Sequence, residues 1–357
     1  MKYYYTRTKI FHFKDRIDKL PHDSGVIPSP VHIRLKPTNI CCHNCHYCAY
    51  SQKNFKSFGK DRASNDSIPR DKMLEIIEDI IEMDVKAVTF SGGGEPFVYP
   101  HLLDAVKLLA RGSVSFASLT NGARLQGEIA EFFSVYATWV RVSIDGWDDE
   151  SYTKFRGVPD GEFTKIISNM KSFINMKGKC VLGVSLIVGE HNVGHIYESL
   201  SKLKDIGISS VKVSPCLVGD DNKATNEYHG KIFKKVKSNI EKCTSKLSDS
   251  TFEISDSYNE LSEKYEKVYD WCPHIQLRPV IGADLNVYTC PDKAYNLGDG
   301  LLGSIKNIRF KDFWFNGKDK FFKVNPSVSC CHHCELNPRN VLLWEYLNSD
   351  SEHLKFI

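Results

Sequence analysis

The stretch Cys41-Cys42-His43-Asn44-Cys45-His46-Tyr47-Cys48 gathers four thiols, and Cys41, Cys45 and Cys48 are spaced C-x3-C-x2-C. Three thiolates are one fewer than a closed four-ligand site needs. A [4Fe–4S] cluster held by three cysteines leaves one iron to take an exchangeable ligand, whereas structural zinc or a fully ligated cluster has no such position. Read alone, the Cys45–Cys48 pair fits zinc as well, completed by a pair from elsewhere. Cys42 is a surplus thiol that would also permit C-x2-C-x2-C. A second group, Cys272, Cys290, Cys330, Cys331 and Cys334, lies near the end of the chain, and Cys180, Cys216 and Cys243 stand singly.

Twelve cysteines in 357 residues need a compartment. The start Met1-Lys2-Tyr3-Tyr4-Tyr5 lacks the apolar core of a secretory signal, and no long apolar run follows. The expectation is a cytoplasmic, reducing location, where cysteines serve as metal ligands or reactive thiols rather than disulfides. A net charge of +3 calls for neither nucleic acid nor membrane as partner.

The elements that must position these residues alternate along the chain. Short β-branched or apolar runs at Val31–Leu35, Ala87–Phe90, Ser115–Leu119, Trp139–Ile144, Val181–Val188 and Ser210–Val213 are separated by amphipathic stretches such as Asp71–Met83, His101–Leu109 and His195–Leu203. Strand-then-helix units of this kind predict an α/β fold with a parallel sheet, whose ligand site lies at the carboxyl ends of the strands. The polar residues fall there. After successive strands come the cysteines, Ser91-Gly92-Gly93-Gly94-Glu95-Pro96, Thr120-Asn121-Gly122, Asp145-Gly146, Gly189-Glu190 and Ser214-Pro215-Cys216.

From Gly219 to Asp270 the chain is polar and helix-prone, predicting a last helix and a connector. A smaller unit starts at Trp271, with a hairpin of Gln276–Ile281 and Asn286–Thr289 carrying Cys272 and Cys290 at its ends, then a helix near Lys311–Phe315. The expected division is an N-terminal extension (1–30), a barrel (31–218), a helical connector (219–270) and a C-terminal domain (271–357).

With these residues assembled, the chain resembles the radical S-adenosylmethionine (SAM) enzymes over about residues 31 to 216. The resemblance implies a partial (β/α)6 TIM-type barrel in which Cys41, Cys45 and Cys48 hold the cluster. The open iron then takes the amino and carboxylate groups of SAM, and Tyr47 lies near the adenine. Gly93-Gly94-Glu95-Pro96 resembles the motif that receives the SAM amino group, as glycines admit close backbone approach and a carboxylate pairs a cation. Ser143 and Asp145 match positions at the ribose, Arg156 one that meets the SAM carboxylate, and Ile187 one that borders the adenine; Asn121 is a further pocket candidate. Taken singly, Asn121, Ser143, Asp145 and Arg156 also read as caps or turn residues.

The later cysteines resemble a small twitch- or SPASM-like auxiliary domain, implying a second [4Fe–4S] cluster on Cys272, Cys290, Cys331 and Cys334. Cys330 is an alternative to Cys331, and a zinc knuckle with His332 or His333 is an alternative to the cluster. Cys216, at the end of the sixth strand, is a candidate catalytic hydrogen-atom donor, or else a buried apolar residue.

The implied activity is reductive cleavage of SAM to a 5′-deoxyadenosyl radical, which takes a hydrogen atom from the substrate; an external donor such as flavodoxin or ferredoxin supplies the electron. The stretch ahead of Val31 is too short for the peptide-recognition domain of many peptide-modifying relatives. This favours a small polar substrate: a sugar, an aminocyclitol or a nucleotide-linked sugar. Lys212, Arg278, Asp292 and Lys293 are candidate contacts to it. Oxidation assisted by the second cluster is the expected outcome. Epimerisation through Cys216 and peptide maturation are alternatives, and a non-catalytic iron–sulfur or zinc protein is the rival class.

Overall fold

The structure, a computed structural model, describes residues 4–20, 27–50, 55–262, 267–332 and 334–356. Seven strands run parallel and in chain order through one sheet among the described residues: β1 (His32–Leu35), β2 (Ala87–Phe90), β3 (Ser115–Thr120), β4 (Trp139–Ile144), β5 (Val181–Val188), β6 (Ser210–Pro215) and β7 (Glu253–Asp256). Helices fill the crossovers, among them Arg70–Glu82, Leu102–Arg111, Gly127–Tyr136, Glu162–Asn175 and Ile196–Asp205. This is the expected partial barrel. In the helix Arg70–Glu82 the buried Met73, Ile76, Ile77 and Ile80 recur at helical spacing and pack on the sheet.

The two faces of the sheet differ in chemistry. On β4, Val140, Val142 and Ile144 are buried toward the helices, while Trp139, Arg141 and Ser143 are only half-buried. On β1, Ile33 and Leu35 are buried and His32 and Arg34 alternate with them. Parallel strands covered on both faces usually read as continuous apolar runs. The alternation here marks a polar lumen.

Two departures from expectation follow from pairing. The polar stretch after Gly219 holds two helices, Asn222–Gly230 and Phe233–Leu247, and then β7, which pairs with β6 through Ser210↔Glu253 to Val213↔Asp256. The alternation Phe252-Glu253-Ile254-Ser255 is too brief to stand out among polar neighbours. In the C-terminal unit Gln276 lies in a short helix, His274–Leu277, and not in a strand; Pro279 separates it from β8 (Val280–Ile281). β8 pairs in parallel with β1 as well as antiparallel with β9 (Asn286–Tyr288), and β10 (Leu301–Ser304) completes the order β10-β9-β8-β1-β2-β3-β4-β5-β6-β7. The expected hairpin is therefore built onto the barrel edge beside β1. The helix Phe310–Phe315 agrees with the sequence, and Asn337–Leu347 adds a further helix.

Candidate active site at the barrel rim

The loop after β1 is held by backbone on three sides before any thiol is considered. Gly94 donates its N–H to the Thr38 carbonyl (3.0 Å) and Glu95 to the Ile40 carbonyl (2.9 Å), so the glycine loop after β2 and the approach to Cys41 are laced together. A Cβ on Gly93 would lie 1.9 Å from Asn39 Oδ1, and one on Gly94 would lie 2.1 Å from the Ile40 carbonyl oxygen. Both positions are cradles that only glycine fits. Glu95 is buried, and its carboxylate accepts from Phe97 N (3.0 Å), Thr120 Oγ1 (2.7 Å) and Asn121 N (2.7 Å), tying β2 to β3. Burial raises its pKa, against which these three donors act.

The second side of the loop rests on the helix Asp149–Arg156. Asp148 Oδ1 accepts from Ser151 N (2.8 Å) and Ser151 Oγ accepts from Asp148 N (3.2 Å), which makes a capping box at its start. Gly157 ends the helix at φ 58°, where a Cβ would stand 2.6 Å from the Asn44 carbonyl oxygen. The last carbonyls then accept from the cysteine loop: Arg156 O from Asn44 N (2.9 Å), and Phe155 O from His46 N (3.2 Å). The helix end thus sets the position of Cys45.

The same helix delivers Arg156 to Asp145, whose Oδ1 accepts from Arg156 Nε at 2.8 Å, with side chains 6% and 0% exposed. Sequence reading took the two as separate ligand contacts; the structure makes them one buried ion pair. One Arg156 nitrogen also donates to Cys45 Sγ (3.6 Å), and its guanidinium lies over the Tyr47 ring (5.5 Å). His191 stacks on Tyr47 at 6.4 Å and 10°. Asn192 donates to the carbonyls of Asp145 (2.9 Å) and Ile187 (2.8 Å), joining the ends of β4 and β5. His191 and Asn192 were missed in the sequence because nothing in Gly189–Asn192 distinguishes ligand from turn.

Asn121 is committed to structure: its amide donates to the surplus Cys42 (3.2 Å) and its Oδ1 accepts from Ala123 N (3.0 Å). Ser143 and Ile187 lie half-buried near the rim ends of β4 and β5. Cys216 is buried, its N–H bound to the Val188 carbonyl (2.8 Å) and its carbonyl accepting from His229 Nε2 (2.7 Å). Burial pushes its thiol up to about 12, with Asp145 adding to the rise.

All twelve cysteines are free thiols. Burial pushes Cys41 up to about 12 and raises Cys45, so a lone thiolate is disfavoured at either. A metal relieves that cost, because it binds the thiolate and drives off the proton. Tyr47 Oη, Asp145 Oδ2 and one Arg156 terminal nitrogen are buried around these thiols and have no hydrogen-bond partner among the described residues. The donor set therefore fits a three-thiolate cluster beside a polar, zwitterionic ligand.

The C-terminal cysteines Cys272, Cys290, Cys330 and Cys334 lie close enough to act on one another. Cys334 is raised well up by burial and then by Asp292, Cys290 and Cys272. Cys290 is raised by burial, then by Asp292, Cys330 and Cys272. Cys331 enters neither set; it is exposed, and its carbonyl accepts from Asn222 N (3.2 Å). Of the two adjacent candidates, Cys331 and its alternative Cys330, it is Cys330, at the end of the short helix Pro326–Ser329, that is half-buried. Asp292 stands 3.5 Å from His332 Nε2, and the ligand atoms of Cys290, Asp292 and His332 lie within 4.8 Å of one another. His333 lies outside the described residues. Of the other proposed substrate contacts, Lys293 donates to the Ser329 carbonyl (3.1 Å), Arg278 pairs with Glu335 (2.6 Å), and Lys212 faces the lumen. Lys36, buried at 1% exposure, donates to the Gly92 carbonyl (2.6 Å) and to Tyr50, whose hydroxyl donates to the Pro291 carbonyl (3.1 Å); it bridges the two cysteine sites.

Known proteins point the same way. Residues 35–203 match the Radical SAM superfamily, so the chain carries a radical SAM domain. Its cofactors are accordingly a [4Fe–4S] cluster and SAM. It is 27% identical over 128 residues to an S-adenosylmethionine-dependent nucleotide dehydratase of Lacinutrix mariniflava, a match covering 36% of this chain and 25% of that protein. It is 25% identical over 142 residues to a GTP 3',8-cyclase of Vibrio parahaemolyticus, covering 39% and 40%. The match therefore spans less than half the length of either relative. Among solved structures, Streptococcus suis SuiB bound to S-adenosylmethionine superposes with a TM-score of 0.64 at 13% identity, covering 88% of this chain and 70% of that one, a likeness of fold. No helix among the described residues is long and apolar enough to cross a membrane.

Proposed function

We propose that this chain is a radical SAM enzyme that removes a hydrogen atom from a small polar substrate, a sugar, an aminocyclitol or a nucleotide-linked sugar, and oxidises it. The observation that carries this reading is the docking of one cysteine loop onto both the Gly93-Gly94-Glu95 backbone and the Asp145–Arg156 pair at the strand ends. When bound, the cluster and SAM supply one-electron cleavage of the sulfonium to methionine and a 5′-deoxyadenosyl radical that abstracts hydrogen. The protein binds and orients. Cys41, Cys45 and Cys48 hold the cluster, while Arg156 and the glycine loop receive the methionine end of SAM. Ser143 and Asp145 take the ribose, and Tyr47, His191 and Ile187 wall the adenine. Cys272, Cys290, Cys330 and Cys334 would hold a second cluster, which would supply a one-electron acceptor beside the substrate.

Anaerobic reconstitution tests this: two such clusters require about eight irons, and strong reductant yields 5′-deoxyadenosine from SAM. Full iron without SAM cleavage overturns the enzymatic reading. Four irons with bound zinc, the knuckle of Asp292 and His332, overturns only the second cluster. A second reading, epimerisation, draws on Cys216, whose buried thiol shares the rim with Asp145. Solvent deuterium at the reacting carbon after turnover in deuterated water supports it, and its absence supports oxidation.

A further inference from the structure

Beneath the rim the lumen holds a cavity of about 410 Å³, a size suited to a small ligand. Its lining is lopsided in charge. Arg34, Arg141, Lys212, Arg278 and Arg339 face it, and Glu335 is the one carboxylate in its lining among the described residues; Lys86, also at its wall, is paired with Asp84. Glu335 is accounted for, at 2.6 Å from Arg278 and 3.7 Å from Arg34. Neither Arg141 nor Lys212 has a carboxylate within ion-pair distance among the described residues; Glu335 and Glu260 act on Lys212 only from farther off. The Arg141 guanidinium is clamped over the rings of Tyr5 (4.7 Å) and Trp139 (5.0 Å), which fixes its direction without neutralising it. Burying cations without counter-ions is costly unless a ligand supplies the charge.

Arg141 lies two residues before Ser143 on β4, and Lys212 two residues before Ser214 on β6. Two residues along a strand are about 6.6 Å, the length of a sugar ring. We infer that the lumen anchors the substrate by a phosphate group on Arg141 and Lys212, supported by Arg34, Arg278 and Arg339, with the reacting carbon turned up toward the rim. Phosphate suits this lining better than a carboxylate because several cations converge and the guanidinium fork binds its oxygens in pairs. The inference rests on the proposed function and narrows its substrate to phosphate esters, whether sugar phosphates or nucleotides.

The probe is inorganic pyrophosphate, titrated calorimetrically into the cluster-reconstituted full chain. One saturable site is expected, weakened at least tenfold in Arg141→Ala and in Lys212→Ala and at least tenfold by raising salt from 50 to 500 mM, with glucose giving no signal. The salt arm uses the unaltered protein, so it reads out even where a variant does not fold. Citrate serves as the carboxylate control, and glucose 1-phosphate and uridine diphosphate separate the two phosphate sources by which binds more tightly. No saturable pyrophosphate binding, equal binding by citrate, or binding untouched by both substitutions overturns the inference. Those outcomes, with SAM still cleaved by the unaltered enzyme, leave the proposed function standing. Failure of SAM cleavage with pyrophosphate bound does the reverse.

Discussion

At the scale of single residues, adjacent cysteines test the second metal site most directly. Cys330 shares its electrostatic surroundings with Cys272 and Cys290, while Cys331 faces solvent. Cys330→Ser should lose about four of the irons expected for two clusters, and Cys331→Ser should retain them all, as read by iron analysis and cluster absorbance. Equal loss in both would move the site elsewhere. The Asp145–Arg156 pair gives a second measurement. Removing one partner of a buried pair leaves the other charge unmatched and costs about 3–5 kcal/mol. Arg156→Ala should therefore lower the unfolding free energy by that order in denaturant titrations. Unchanged stability would mean that water replaces the guanidinium.

At the scale of elements, the glycine loop after β2 matters for its backbone and not for a side chain. Gly94 sits against the backbone of Asn39 and Ile40, with a Cβ 2.5 Å from the Asn39 carbonyl carbon. Gly94→Ala must push the cysteine loop off β2, so SAM affinity should fall at least tenfold, about 1.4 kcal/mol, by equilibrium binding. An unaltered affinity would show that the loop tolerates the shift and that the contact is not part of the pocket. The elements themselves were largely legible. The short β-branched or apolar runs located β1 to β6 within two residues, since such strands between amphipathic helices have few other arrangements. β7 was not legible, because a four-residue strand inside a polar stretch has no period to show. The entry of β8 beside β1 was hidden for another reason: parallel pairing partners distant in sequence leave no local trace.

At the scale of the whole molecule, the charge in the lumen governs pH response as well as binding. His32 faces the cavity and hydrogen-bonds Thr89 Oγ1 at 2.8 Å. Burial, then Arg278 and Arg34, lower its pKa from 6.5 to about 3. The folded state keeps it neutral while the unfolded chain protonates below about 6.5, so its contribution is full above that pH and is lost as pH falls toward 3. The slope is at most about 1.4 kcal/mol per pH unit. Urea unfolding at pH 7, 6 and 5 should show this decline, and His32→Gln should make it shallower, the remainder coming from His274, His43 and His191, which burial also holds low. An identical decline in the variant would assign the loss to other groups.

The sequence by itself determined the three-thiol spacing, the order of strands and helices, and the placement of polar residues at strand ends. All of these are local, written in period and in neighbouring residue types. Only the tertiary structure decided that Asp145 and Arg156 neutralise each other, that Cys330 is half-buried while Cys331 is exposed, and that Arg34, Arg141 and Lys212 converge on one cavity. Periodicity encodes which face of a strand a side chain occupies. Which residues meet across the lumen depends on how the strands tilt and stagger around it, and no stretch of chain carries that information alone.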